Sequence, residues 1–171
     1  MSIKQFNGEW VCREDRVLFR FNTHQGQEFS FWLTRYVLKG LLQGAKQMAV
    51  QALQTQHVPE VAQQVQSFQQ AAVAQQLNFE DNFESSQNKP MGEAPLLVTG
   101  LTLNAQDEMV TLKLDLDLDK SVQVQMPAHV FQVMLALLDK LQGVAQWNVG
   151  HTTETSELPE NPAAQAPRIV H

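Results

Sequence analysis

The chain has 171 residues, 43% of them hydrophobic and 18% charged, enough for one domain with a sizeable core. A net charge of −6 and a pI near 5.3 weigh against general nucleic-acid binding. The single cysteine, Cys12, excludes an intrachain disulfide, and no apolar run approaches the roughly 20 residues needed to span a bilayer.

The opening stretch MSIKQFNGEW lacks the apolar run of a secretory signal, so a soluble cytoplasmic protein is expected. It reads as a first strand ending near Cys12, followed by a turn at 13–16. Val17, Phe19 and Phe21 then alternate with Arg16, Leu18 and Arg20, the pattern of a strand with one buried face. A Gly-containing turn, HQGQ, leads to Phe29, Phe31 and Leu33, which alternate with Ser30 and Trp32. Thr34 is the expected N-cap of a helix over Arg35–Gln54, with Val37, Leu38, Leu41, Ala45, Met48 and Ala52 on one face. Gly40 and Gly44 each cost that helix about 1 kcal/mol relative to alanine. Close approach of another helix or of the sheet, in the fold or at a dimer seam, is the expected reason.

Residues 58–77 read as a Gln-rich helix, with Pro59 in its first turn and Val61, Val65, Phe68 and Ala72 as a narrow stripe. Residues 78–95 read as a linker with two exposed phenylalanines, Phe79 and Phe83. Further on, Val110, Leu112, Leu114, Val122, Val124 and Met126 form a core face, opposite Thr111, Lys113, Gln123 and Gln125. Pro127 suits the first turn of a helix over Ala128–Gln146, striped by Val130, Phe131, Met134, Leu138 and Leu141. From Asn148 the chain is rich in Thr, Glu, Pro and Ala, and residues 148–171 are expected to be a disordered tail.

A gapless shift of 93 places Val17 on Val110, Phe19 on Leu112, Phe29 on Val122, Phe31 on Val124 and Leu38 on Phe131. It also places Trp10 on Leu103 and the 13–16 turn on 106–109. The hydrophobic phase holds over about 40 positions, which indicates an internal repeat. The expected fold is α+β: two duplicated β-β-β-α units, each an antiparallel meander plus helix, related by a pseudo-twofold. Unit one covers 2–57, the inserted Gln-rich helix 58–77, the linker 78–95 and unit two 96–147, together one domain. The six strands form either one sheet or two packed halves.

Chemistry-bearing motifs are sparse. Asp115, Asp117 and Asp119 resemble a metal ladder, but under the repeat they fall on Asn22, His24 and Gly26, so they read as a strand end and its turn. A calcium loop would need glycine and glutamate where Lys120 and Met126 stand. His24, His57, His129, His151 and His171 have no partners at metal-ligand spacing. No nucleophile elbow, phosphate loop or zinc-protease motif is present, so no catalytic residue, metal site or cofactor is expected. Cys12 reads as a small packed residue.

Residues 1–50 carry seven basic and four acidic side chains, net +3, while the remainder carries five and fourteen, net −9. Arg16, Leu18, Arg20 and Trp32 should share the outer sheet face of unit one. Trp and Arg together suit a protein interface, and they also suit a stacking platform for single strands. The outline of two sheet-plus-helix repeats is similar to that of the Pur-alpha and Whirly single-strand binders. Those families use four strands per repeat where this sequence offers three. The ending Arg168, Ile169, Val170 and His171 resembles the terminal peptide by which the SspB adaptor engages its unfoldase. The resulting expectation is a non-enzymatic binding or assembly protein acting through a protein partner or self-association. A single-strand nucleic-acid binder using the same face is the alternative, and an adaptor with a C-terminal docking peptide ranks third.

Overall fold

The computed structural model describes residues 2–54, 83–106 and 109–147, with side chains omitted at 52–54. The expected helix at 58–77 and the tail at 148–171, including Arg168, Ile169, Val170 and His171, lie outside the described residues. The alternating runs become strands β1 (Ile3–Val11), β2 (Arg16–Thr23) and β3 (Glu28–Thr34), followed by α1 (Arg35–Gln54). The second half supplies β4 (Leu96–Gln106), β5 (Met109–Leu116), β6 (Ser121–Pro127) and α2 (Ala128–Val144). All six strands join one mixed sheet in the order β1-β2-β3-β4-β5-β6. Every neighbouring pair is antiparallel except β3 and β4, which pair in parallel through Phe31–Leu96 and Trp32–Leu97. A parallel pair needs a long crossover, and residues 35–95 supply it.

The period-2 alternation places its apolar residues inside as expected. Val17, Phe19, Phe21, Phe29, Phe31 and Leu33 join Val110, Leu112, Leu114, Val122, Val124 and Met126 in one buried cluster. Phe21 stacks on Phe29 with ring centroids 5.0 Å apart. The helices bind the halves together by crossing over. α1 leaves β3 but packs mainly on β4, and α2 leaves β6 but packs mainly on β1. Val37, Leu38, Leu41 and Ala45 of α1 and Phe131, Met134, Leu135 and Leu138 of α2 close the same core.

Strand pairing follows one scheme in both halves. Val17–Leu33, Phe19–Phe31 and Phe21–Phe29 are matched by Val110–Met126, Leu112–Val124 and Leu114–Val122. The first hairpin departs from the gapless spacing. Trp10 pairs with Val17, and Ala105, not Leu103, pairs with Val110. The 3-10 turn Cys12–Glu14, with Asp15 left-handed at φ 47°, lengthens the first connection by two residues. Allowing for that offset, the halves share an irregularity: Lys4 is the extra residue of a bulge between Ile3 and Gln5, and Thr99 of one between Val98 and Gly100. The Thr23 N–H donates to the Gln27 carbonyl and the Leu116 N–H to the Lys120 carbonyl, both at 2.9 Å. The His24 N–H donates to the Ser2 carbonyl and the Asp117 N–H to that of Leu97, both at 3.0 Å.

The caps set the helix ends. The Val37 N–H donates to Thr34 Oγ1 at 3.3 Å, so Thr34 is the N-cap of α1. Pro127 occupies the matching N-cap of α2 with extended backbone (φ −59°, ψ 150°), one residue before the turn in which the sequence had suggested it. At the far end, Gln146 turns left-handed at φ 55°, and the Trp147 and Gln146 N–H groups reach back to the carbonyls of Gln142 and Gly143. This Schellman closure ends the helix at Val144 and throws Trp147 against the first hairpin. There the buried Trp147 Nε1–H donates to Asp15 Oδ1 at 2.6 Å, and Arg35 pairs with Asp15 Oδ2 at 3.0 Å.

Candidate binding face

Arg16, Leu18 and Arg20 occupy same-parity positions on β2, and Leu18 pairs with Trp32 of β3, so all four project from the face opposite the core. All are partly buried. The Arg16 guanidinium lies 4.6 Å from the Trp32 ring centroid, and Arg16 also pairs with Glu14. Cation–π contact of this kind holds the indole in one orientation. Leu97, the parallel neighbour of Trp32, and Val11, opposite Arg16, extend the apolar part of the patch.

Arg20 belongs to a second group. Its Nε and Nη2 donate to Asn7 Oδ1 at 3.1 and 2.7 Å, and its guanidinium sits 5.1 Å from the ring centroid of Phe83. Phe83 is therefore half-buried, where the sequence had suggested an exposed linker residue; Phe79 lies outside the described residues. Residues 83–88 form a strap fastened to the end of unit one. The Glu84 N–H donates to Gln5 Oε1 at 3.2 Å, the Glu84 carbonyl accepts from Asn22 Nδ2 at 2.8 Å, and the Glu84 carboxylate pairs with Lys4. The Lys4 ammonium holds the Glu84 carboxyl below its ordinary value.

Glu28 anchors the strap from beneath. Only 3% exposed, it accepts from the Ser86 N–H at 2.7 Å and the Ser85 hydroxyl at 2.9 Å through Oε2. Its own N–H donates to the Asn88 carbonyl at 2.8 Å, beside a parallel bridge between Gln27 and Asn88. Burial raises the Glu28 carboxyl, but the Ser86 N–H, the Ser85 hydroxyl and the Lys89 and Arg20 charges outweigh it, leaving the group below its ordinary value. Neither this carboxylate nor the strap was singled out in the sequence. The available signal was an acidic residue at the start of a strand whose alternate residues, Phe29, Phe31 and Leu33, are core.

The outer face of the second half is bland by comparison. The positions matching Arg16, Leu18, Arg20 and Trp32 are Met109, Thr111, Lys113 and Gln125, with Lys113 paired to Asp115 at 2.9 Å. Asp115 is the second-last residue of β5, whereas Asp117 and Asp119 lie in the turn, with Leu118 and Asp119 left-handed at φ 59° and 54°. No group of three His, Cys, Asp or Glu among the described residues is placed to hold a metal ion. His24 and His129 are exposed and apart. Cys12 is exposed at the start of the 3-10 turn, not packed as the sequence had suggested, because the longer first hairpin carries it out of the sheet. No helix among the described residues is long and apolar enough to cross a membrane. Comparison with family models, with curated proteins and with solved structures finds no match.

Proposed function

We propose that this is a non-enzymatic binding or assembly protein that makes protein–protein contacts, with itself or with another chain, through the outer face of its first half. The reading treats the halves as a duplication. The shared registers, the bulges at Lys4 and Thr99 and the paired hairpin hydrogen bonds support that origin. The observation that carries the functional reading is the contrast between the halves at matching outer positions. One face has Arg16, Leu18 and Trp32 where the other has Met109, Thr111 and Gln125. Nothing in the shared scaffold requires aromatic and guanidinium groups there. Trp and Arg are the residues that dominate binding energy at protein interfaces.

Single-stranded nucleic acid is the second reading, favoured by the same Trp and arginines. Against it, one face of the Trp32 ring already carries Arg16, and Arg16 is already paired with Glu14. The test uses Trp32→Ala. Oligonucleotide at physiological salt should leave the intrinsic fluorescence of the wild-type chain unchanged. Trp32→Ala should shift the sedimentation profile toward smaller species or weaken affinity for a purified partner. Micromolar, salt-sensitive oligonucleotide binding that disappears in Trp32→Ala would overturn the assignment in favour of single strands.

A further inference from the structure

The strap is itself a bound peptide, and its contacts show what the surface beneath it recognises. An aromatic ring lies against Arg20, the next residue is an acid on Lys4, and the backbone N–H and carbonyl of that acid are both read, by Gln5 and Asn22. The next two residues are held by Glu28. Side-chain groups from all three strands of the first half thus converge on one short extended segment, the arrangement by which sheet surfaces capture extended peptides. The anchors are also separable from the core. Phe83 is only half-buried and the Glu84 side chain is 68% exposed, so neither closes the hydrophobic cluster. The sequence carries the recognised Phe-Glu pair twice, as Phe79-Glu80 and Phe83-Glu84.

We propose that this surface is a peptide-binding site for an extended partner segment in which an aromatic residue is followed directly by an acidic one. Residues 83–86 occupy it in cis and act as an internal competitor. Charge selects the ligand: Lys4 and Arg20 supply two cations, one against the Glu84 carboxylate and one against the Phe83 ring. The site adjoins the Arg16–Trp32 patch on the same strands, so a partner segment that displaces the strap gains a continuous surface. The proposal deepens the docking function proposed above and rests on it for its biological meaning.

The test uses the full chain and a labelled synthetic peptide, Asn-Phe-Glu-Ser-Ser-Gln-Asn, matching residues 82–88. In Phe83→Ala/Glu84→Ala, whose own strap has lost both side-chain anchors, the peptide should bind saturably below millimolar concentration. In the wild-type chain binding should be weaker by about tenfold or more, because the competent state is the minor one. Adding Arg20→Ala to the double variant should abolish binding, and a peptide with Ala for Phe and Gln for Glu should not bind. No binding to a double variant that keeps its circular dichroism and melting transition overturns the proposal; if that variant does not fold, Phe83→Ala alone serves the same comparison. Binding that ignores Arg20→Ala also overturns it. A wild-type dimer that dissociates on Phe83→Ala/Glu84→Ala would mean that a second copy fills the site, and would overturn the partner assignment. Trp32-dependent association without peptide binding removes the peptide site and leaves the docking face intact. Peptide binding without Trp32-dependent association supports the site and removes the docking face.

Discussion

A side chain built on Gly44 of α1 would place its Cβ 3.2 Å from Cδ1 of Leu103 on β4. The other helix–strand crossing reverses the sizes. There the glycine is on the strand: a Cβ on Gly8 of β1 would lie 3.6 Å from Leu137 Cδ2 and collide with Leu141 Cδ1 of α2. By register Gly44 matches Leu137 and Gly8 matches Leu103, so at each crossing a glycine on one element faces leucine on the other. The crossing needs one small partner, and either element can supply it. Gly44 serves close contact with the sheet.

Glycine substitutions should therefore differ in sign. Gly8→Ala drives a methyl group into Cδ1 of Leu141, a partly buried side chain that can turn aside, and should destabilise by about 1 kcal/mol, the low end of the cost of overpacking. Gly40 meets only Leu101 Cδ2, at 4.0 Å, and opens onto the groove beside Tyr36 and Gln43. Gly40→Ala should stabilise by up to about 1 kcal/mol through helix propensity. Urea denaturation of the two variants beside the wild type measures both effects; a Gly8→Ala variant as stable as the wild type, or more stable, would show that the crossing is not tight at β1.

The Asp15 carboxylate serves two partners, one of them the buried Trp147 indole. Asp15→Ala leaves that N–H without an acceptor and should cost about 1–3 kcal/mol. Asp15→Asn keeps an oxygen for the indole and tolerates the left-handed backbone, so it should cost less. Thermal melts rank the pair, and Trp147 fluorescence should shift to the red in the alanine variant alone.

Gln146 holds a left-handed position without being glycine. Gln146→Gly relieves a strain of about 1 kcal/mol and should raise the melting temperature slightly. An unchanged or lowered midpoint would mean that Gln146 makes a compensating contact.

The strap should be sensitive to acid through Glu28. Its carboxyl lies below the ordinary value in the folded chain, so its contribution to stability is present above the unfolded-state value. That contribution is lost as pH falls through the lower, folded value. Amide protection at Ser86, high near neutrality, should therefore drop only below the ordinary carboxylate range. Glu28→Gln should show weaker protection at neutral pH and no such step. A step that persists in Glu28→Gln would assign the acid sensitivity to another group, with the Lys4–Glu84 pair the first to examine.

Much of this structure is local and so is written in the residues themselves. Alternation along 16–23, 28–34, 109–116 and 121–127 decides strand and face together, because successive side chains point to opposite sides of a sheet. The same rule places Arg16, Leu18, Arg20 and Trp32 on one surface once β2 and β3 pair. The common spacing of apolar residues is visible for the same reason over β2–β3–α1 and β5–β6–α2.

The remainder depends on contacts between residues distant in sequence, which no periodicity records. The two-residue difference in the first hairpin breaks the simple spacing, and only the hydrogen-bonded register shows that Ala105 stands where Trp10 does. The parallel joint of β3 with β4, the exchange of helices across the halves and the reach of Trp147 to Asp15 were likewise decided by packing one shared core. The strap follows the same logic. Phe83 and Glu84 look like linker residues because their partners, Arg20, Lys4, Gln5 and Asn22, are supplied by strands more than sixty residues earlier. Sequence alone determined that Arg16, Leu18, Arg20 and Trp32 share one face, because strand parity is local; tertiary structure determined that residues 83–88 lie across the Arg20 end of it, because that contact joins segments distant in the chain.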